Sequence, residues 1–468
     1  MARGKKKETL TPEERLQAAL VPESEQPYPV PGNWCWTKVG VLSDLYRGVS
    51  YKKQDAHAER QEQDCLILRG GNVLEGAIET ETGDNVYVSR NLVQEDQLLQ
   101  PYDVIIVSST GSSKVIGRAG ISYTGYDNVA FGAFLTLVRP NDGIVKPFIA
   151  YYFQSDIYRN RIRELAAGVN INNIKANYIT ESPIPLPPFS EQQRIVDRIE
   201  SLFAKLDEAK QKAQDTLDSF ETRKAAILHK AFTGELTAQW RKEHGVRMES
   251  WDNTTLSKIV IGFKYGTSEK SDYSYKGMPV FRIPNITDDG LSFEDLKFLS
   301  HKDISDENQI HENDILIVRS NGSRELVGKS VLVPQLDREY AYASFLIRIQ
   351  PLESVVPNYL VMYLNSTDAR MQMFKKAKSS AGINNINSKE LGAILINLPS
   401  FPEQTEIVRI LDDLLAKEQQ AKEAAEGVLE QIDLIKKSIL ARAFRGELGT
   451  NDPNEESAQE LLKKSFIL

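Results

Sequence analysis

Residues 184–214 read IPLPPFSEQQRIVDRIESLFAKLDEAKQKAQ, and residues 396–426 read INLPSFPEQTEIVRILDDLLAKEQQAKEAAE. The first stretch runs on to ILHKAFTGELT (227–237) and the second to ILARAFRGELG (439–449). The copies align without a gap at an offset of 212 residues, so one polypeptide carries the same long element twice. Such a chain has approximate twofold symmetry built in, and it suits a partner that is itself two-sided.

Each copy reads as a long helix. In the first, Ser190 and Gln193 have capping-box spacing. In the second, Pro402 falls in the first turn and Glu403 follows Ser400 by three residues. Gly234 and Gly446 stand where the residue just past a helix end is expected. Ile195, Ile199, Leu202, Leu206, Ala209, Ala213, Thr216 and Phe220 step alternately by four and three. So do Ile407, Leu411, Leu414, Glu418, Ala421, Ala425, Val428, Ile432, Ile435 and Ile439, with Glu418 the one charged interruption. That period is a heptad seam, the pattern of a coiled coil. Two unrelated amphipathic helices would not share both an ungapped sequence and this period. The two helices are therefore expected to pack on each other, antiparallel if a twofold axis crosses the pair. A helix of about 43 residues spans roughly 64 Å, which makes the pair a rigid spacer.

Outward from the repeats, the chain divides into an N-terminal extension (1–28), a globular region (29–183), the first repeat (184–237), a linker (238–250), a second globular region (251–395), the second repeat (396–449) and a tail (450–468). Short strand-like runs recur in both regions: Cys65–Leu68, Asp103–Val107 and Phe134–Val138, then Asp314–Val318 and Phe345–Ile349. Helical stretches follow at about 146–166 and 357–377. The regions read as diverged copies of one fold. LRGGNV (68–73) matches FRIPNI (281–286), YDVIIVSSTGSSKVIGR (102–118) matches NDILIVRSNGSRELVGK (313–329), and NINNIK (170–175) matches GINNIN (382–387). The fold class expected is α+β: two mixed α/β domains joined by two long antiparallel coiled-coil helices with pseudo-twofold symmetry.

Composition is that of an ordinary soluble protein of 468 residues, enough for two to four domains. No apolar run approaches the roughly 20 residues that span a bilayer. The start, MARGKKKETLTPEERL, is charged without a following apolar stretch and does not read as a secretory signal. Cys35 and Cys65 are the only cysteines, too few for a disulfide framework or a thiolate metal site, and a reducing cytoplasm is expected. The net charge of −8 weighs only weakly against nucleic-acid binding, because a local basic face can bind phosphate on an acidic protein. Much of the acidity sits in the repeat helices (Asp412, Asp413, Glu423, Glu426) and in the tail (Asp452, Glu455, Glu456).

Motifs for covalent chemistry fail one by one. An amino-methyltransferase needs a hydrogen-bonding side chain ahead of Pro-Pro-aromatic, to hold the amine of a flipped base. Leu186-Pro187-Pro188-Phe189 offers leucine there, and Leu398-Pro399-Ser400-Phe401 also loses the second proline. The stretch from Gly322 to Gly328-Lys329-Ser330 is one residue too long for a phosphate-binding loop, and its counterpart from Gly111 to Gly117 lacks the Lys-Ser pair. Both read better as strand–turn elements. Glu208-Ala209-Lys210 matches a nuclease fragment but lies on the helix, where a solvated face accounts for it. The five histidines (His57, His229, His244, His301, His311) have no metal-ligand spacing, so no metal and no catalytic residue is assigned.

The chain resembles a known family, the DNA-specificity subunits of type I restriction–modification systems. The residues that carry the likeness are the PFSEQQRIV opening, the AFTGEL and AFRGEL closings, the DVIIV and DILIVRSNGS strand-loops, the INNI motif before each repeat, and LVPESEQPYPVPGNWCW (20–36). The likeness covers nearly the whole chain in order. It implies that each globular region is a target-recognition domain reading one half of a bipartite site on double-stranded DNA. It implies that the helices set the gap between the halves and dock two modification subunits, which restriction (translocase) subunits join. S-adenosylmethionine for adenine methylation, and ATP and Mg for translocation and cleavage, would then belong to those partners, and this chain would bind no cofactor and no membrane. Two alternatives stand beside it: a self-contained methyltransferase or nuclease, and a coiled-coil scaffold with no DNA role.

Candidate DNA contacts are the polar loops that carry basic residues. In the first region these are Arg69 with Asn72, and Thr110, Ser112 and Lys114 leading to Arg118. In the second they are Lys264, Arg282 with Asn285, and Arg319, Asn321 and Arg324 leading to Lys329. Arg can read guanine and Asn adenine, while Lys, Ser and Thr bind phosphate. Arg69/Asn72 and Arg282/Asn285 recur in both regions, so they read equally as framework; positions that differ between copies are the better readers. The NINNI and GINNI segments read as Asn-rich turns ahead of the repeat strand, a reading preferred to a partner-docking role.

Overall fold

The computed structural model describes residues 11–112, 114–167, 173–380 and 382–466. The chain forms two compact units, Met1–Lys212 with Val428–Leu468, and Ala213–Gly427. Each unit combines one globular region with parts of both repeats, so the unit boundaries fall inside the repeat helices rather than at their ends.

In the first unit a four-stranded antiparallel sheet has the order Ser43–Arg47, Leu135–Pro140, Val104–Val107, Ala119–Ile121. Its central strand, VIIV, is buried along its whole length. Side chains alternate across a strand, and here both faces are covered. Val104 and Ile106 meet the helices, whereas Ile105 and Val107 meet a second sheet. That second sheet has the order Ala56–His57, Tyr87–Ser89, Asp64–Leu68, Val129–Phe131, the last two strands being parallel. A separate pair joins Cys35–Lys38 to Pro183–Leu186, the strand that leads into the first repeat helix.

The second unit repeats this plan. Its main sheet has the order Val260–Tyr265, Leu346–Pro351, Ile315–Val318, Ser330–Leu332. Ile315 and Ile317 face the helices, and Leu316 and Val318 face the smaller sheet. In that smaller sheet Pro279–Phe281 again runs parallel to the strand that follows in space, Ala341–Tyr342. Asp252–Thr255 pairs with Leu395–Leu398 ahead of the second repeat helix. The fold is α+β with two repeated domains. Each helical stretch expected as one piece is two: Lys146–Tyr152 and Asp156–Ala167, then Pro357–Asn365 and Thr367–Lys376. Ser366 is extended at the break and caps the next helix by accepting the Ala369 N–H.

The second repeat is one helix, Phe401–Ala443. The first is two, Phe189–Asp218 and Phe220–Phe232. At the junction the Ser219 hydroxyl donates to the Asp215 carbonyl (2.6 Å), which the Ser219 N–H also bonds (3.1 Å). Both repeats close at glycines in the left-handed region, Gly234 (φ 81°) and Gly446 (φ 73°). A Cβ on Gly234 would lie 2.7 Å from the Met248 sulfur, and one on Gly446 2.5 Å from Pro31, so these turns admit little else.

The helix starts differ from the capping pattern. Gln193 bonds forward to Asp197 (2.8 Å) instead of back to Ser190. The next-door pair Glu191-Gln192, and its counterpart Glu403-Gln404, turn inward and are fully buried. Gln192 accepts the Val145 N–H and donates to the Pro187 carbonyl, as Gln404 does with Val356 and Pro399. Glu191 accepts from the Trp34 indole (2.7 Å), Thr450 and Asn451. Glu403 accepts from the Trp251 indole (2.9 Å), Thr237 and Arg241. Each SEQQ/PEQT stretch is thus a buried polar bracket tying helix to domain, an arrangement that burial without water requires.

Within each unit the two repeat helices run antiparallel. In the first unit Phe203 lies under Lys436, while Arg194, earlier in the first helix, meets Glu455 (2.8 Å) in the tail that follows the second helix, so partner numbers fall as residue numbers rise. In the second unit Phe220 lies under Lys422 and Arg223 meets Glu418 (2.8 Å). Glu418, the charged residue in the seam, is therefore the partner of Arg223. Ile195, Ile199, Phe220, Ile407, Leu411 and Ile432 are buried, and Leu202, Leu206, Leu414 and Ile439 are half-buried. Val428 and Ile435 leave the seam: they are 38% and 42% exposed, while Leu440 is buried and Lys436 lies over Phe203. A straight helix drifts by about 20° per heptad against a 3.5-residue repeat, so the buried line passes to the neighbouring positions.

Candidate nucleic-acid interface

The strand–loop motifs VSSTGSSK and VRSNGSRE leave the same end of the main sheet in each unit. In the first, Val107 ends the strand and the Ser108 and Ser109 N–H groups both bond the Phe134 carbonyl (3.1 and 3.0 Å). On the other side the Ile174 N–H bonds the Ser108 carbonyl (2.7 Å), and Ser109 bridges Asn173. In the second unit the Arg319 N–H bonds the Phe345 carbonyl (3.0 Å), and the Ile386 N–H bonds the Arg319 carbonyl (2.9 Å). Ser320 and Asn321 pair there with Asn385 and Asn384. Three segments therefore lie side by side: the short turn that crosses from the second sheet to the main sheet, the polar loop and the Asn-rich segment.

This corrects the reading of the Asn-rich segments as turns. Ile383–Asn385 is a strand, paired on its other side with Lys378–Ser380. The first copy follows the same path at Asn173 and Ile174; the rest of NINNI lies outside the described residues. Tertiary pairing to the polar loop, absent from local sequence, satisfies backbone groups that an isolated turn would leave to water.

The loops themselves share one turn. Thr110 accepts the Ser112 N–H (3.3 Å), and Asn321 accepts the Ser323 N–H (2.7 Å). These side-chain-to-backbone bonds shape the chain and tolerate different residues at the same place. Ser112 and Lys114 are exposed. The Arg319 guanidinium stacks over the Tyr265 ring at 4.7 Å and approaches Asn385. Arg324, exposed, donates to the Phe374 carbonyl (2.8 Å).

The other candidates are placed differently. Asn72 and Asn285 are 4% and 1% exposed, and their amides are used inside their own turns. Each accepts the N–H of its partner arginine, Arg69 (2.8 Å) or Arg282 (2.9 Å), and donates to a loop carbonyl, Glu79 or Glu294. These asparagines hold the turn and do not present themselves to a ligand. Arg69 pairs with Asp84, and Arg282 with Asp295. Arg118 donates to the Gly70 carbonyl (2.8 Å), and Lys264 pairs with Glu307 (2.6 Å). Lys329 turns to Asp288 (2.8 Å), whose carboxyl it holds below the usual carboxylate range by hydrogen bonding.

Sequence reading missed the turns that cross between the two sheets of each unit. Phe134 and Phe345 were expected to begin strands; the strands begin one residue later, and the rings are 70% and 56% exposed. The signal was their shared place ahead of matching strands, AFGAFLTLV (130–138) and AYASFLIRI (341–349). Among the described residues, no group of three or more His, Cys, Asp or Glu side chains is placed to hold a metal, and no helix is long and apolar enough to cross a membrane.

Comparison with known proteins gives a consistent result. The profile of the type I restriction modification DNA specificity domain matches twice, at residues 60–217 and 248–427. The chain is 32% identical over 448 residues to the type I restriction enzyme EcoKI specificity subunit of Escherichia coli, covering 93% of this chain and 95% of that one. It is 30% identical over 423 residues to the StySPI specificity subunit of Salmonella potsdam, covering 90% of each. Among solved structures, the HsdS subunit from Thermoanaerobacter tengcongensis superposes with a TM-score of 0.62 at 18% identity, over 91% of this chain and all of that one. That likeness concerns the fold.

Proposed function

We infer the function from one premise: this chain belongs to the type I restriction–modification DNA-specificity family. It is the DNA-specificity subunit of such a system. In our reading each globular region reads one half of a bipartite site on double-stranded DNA. The repeat helices form a pseudo-symmetric antiparallel coiled coil that sets the gap between the halves. They also offer docking surfaces to two modification subunits, which restriction subunits join. S-adenosylmethionine, ATP and Mg belong to those partners, and this chain contributes specificity to the cytoplasmic complex without catalysing a step.

One observation carries the reading. The same three-segment edge occurs in both units, and its loops differ at matched positions: Ser108, Thr110 and Lys114 in one, Arg319, Asn321 and Glu325 in the other. A common frame with different hydrogen-bonding groups is what two readers of different base sequences need. The alternatives of a self-contained enzyme and of a scaffold without DNA readout lack any such support.

The test is an exchange of residues 29–183 for the matching region of another family member, in a complex reconstituted with modification subunits. Methylome sequencing should show one half-site changed and the other intact. Loss of both half-sites in a folded complex would refute modular readout. Inserting one heptad at matched positions of both repeat helices should change the permitted gap, and an unchanged gap would refute the ruler.

A further inference from the structure

Phe134 is the most exposed large apolar side chain among the described residues, and Phe345 occupies the matching place in the second unit. A ring held in water is unfavourable, and single exposed apolar residues are common on surfaces. Two rings at one structural position, in domains whose loops have otherwise diverged, call for a shared cause.

Both rings are held on rigid tips. The Gly132 N–H bonds the Leu68 carbonyl and the Leu135 N–H bonds back to Gly132, while the Phe134 carbonyl takes both serine N–H groups of the polar loop. In the second unit the Ala343 N–H bonds the Phe281 carbonyl, the Leu346 N–H bonds back to Ala343, and the Phe345 carbonyl takes the Arg319 N–H. Each tip is thereby clamped between the two sheets of its unit. The ring projects from a fixed backbone, so little ordering remains to oppose its insertion into a ligand.

The neighbours decide the ligand. Beside Phe134 on the same edge are Ser109 and Asn173; beside Phe345 are Arg319, Ser320 and Asn385. A protein-docking patch would surround the ring with further apolar surface. Here the neighbours are hydrogen-bonding and cationic groups, joined at Phe345 by the Tyr265 ring over which Arg319 stacks, surroundings that suit bases and phosphates. A rigid ring in such a setting matches a nucleobase, either as a stacking platform or as a wedge between base steps.

We infer that Phe134 and Phe345 are paired base-stacking wedges, one for each half-site, that enter the DNA where it is unstacked. This rests on the specificity-subunit reading and deepens it. A base to be modified must leave the helical stack, and a ring that fills or pries the vacated step lowers the barrier to that exit.

The test uses the complex of this chain with its modification subunits, and duplexes carrying the recognition sequence with 2-aminopurine in place of adenine in one half-site or the other. Binding of the unaltered complex should raise 2-aminopurine fluorescence in both halves. F134A should lower that rise by at least about fivefold in the first half-site alone, and F345A in the second alone, each with roughly tenfold weaker specific binding; F134W and F345W should restore both. Because the rings are exposed, thermal midpoints should not move. Alanine variants that keep fluorescence and affinity within about twofold of the unaltered complex would overturn the wedge while leaving the specificity reading intact. So would a single variant that silences both half-sites equally. Failure of the unaltered complex to prefer its site over random duplex would overturn the specificity reading, and the wedge with it.

Discussion

Replacing Arg241 with methionine probes the buried bracket of the second unit. Arg241 is 9% exposed and its partner Glu403 is fully buried. Arg241 Nη1 lies 2.6 Å from the Glu403 carboxylate and 2.9 Å from the Thr237 hydroxyl, and Nη2 lies 2.6 Å from the Gly234 carbonyl at the helix end. Methionine keeps the apolar stem but leaves a buried carboxylate with only the Thr237 hydroxyl and the Trp251 indole as donors. Removing one partner of a buried ion pair costs about 3–5 kcal/mol, and the lost Gly234 bond adds about 1 kcal/mol. The double variant R241M/E403Q removes the stranded charge and should recover all but about 1–2 kcal/mol. Native-state hydrogen exchange of the Phe220–Phe232 and Ala238–His244 amides reads this locally. At about 1.4 kcal/mol per tenfold, R241M should speed exchange there roughly a thousandfold, and R241M/E403Q only about tenfold. A double variant no more protected than R241M would refute the reasoning, because the stranded carboxylate could not then be the source of the loss.

Two further outcomes are expected. A Cβ on Gly266 would lie 2.1 Å from the Tyr342 carbonyl and 2.6 Å from the Ala343 carbonyl, backbone atoms that cannot step aside, whereas one on Gly262 meets nothing within 4 Å. G266A should therefore lower stability by about 3 kcal/mol or more in urea titration while G262A stays within about 1 kcal/mol; equal midpoints would count against the close strand approach. His301 is hydrogen-bonded to Glu269 (2.6 Å) and to the Asp303 carbonyl, and these partners raise its pKa above the ordinary histidine value. Its stabilising contribution is thus fully present below the unfolded pKa and is lost as pH rises through the higher folded one. An NMR titration should place its midpoint above that of a free histidine and E269Q should bring it down; an unchanged midpoint in E269Q would remove the ion pair from the account.

Several features were legible in the order of residues because they depend on neighbours along the chain. The repeat at an offset of 212 showed that two similar units exist. The period of Ile195, Ile199, Leu202 and Leu206, and of Ile407, Leu411 and Leu414, identified the face that is withdrawn from water. Matching strand runs such as VIIV and ILIV marked the strands at the middle of each sheet, since a strand covered on both faces must be apolar throughout.

Other features were decided only when distant segments met. Glu403 reads as a helix-start acid, but Trp251, far away in sequence, draws it inside, as Trp34 does Glu191. Asn72 and Asn285 read as possible adenine readers until their own turns consumed their amides. The second Asn-rich segment reads as a turn and becomes a strand because the polar loop offers it partners. Val428 and Ile435 fit the heptad, yet packing against a helix that keeps its own pitch leaves them exposed. Phe134 and Phe345 look like the first residues of buried strands, and only the turns clamped between the two sheets leave them outside. Local sequence determines periodicity and propensity. Which polar group is satisfied, and which ring stays in water, is settled by what the rest of the fold brings alongside.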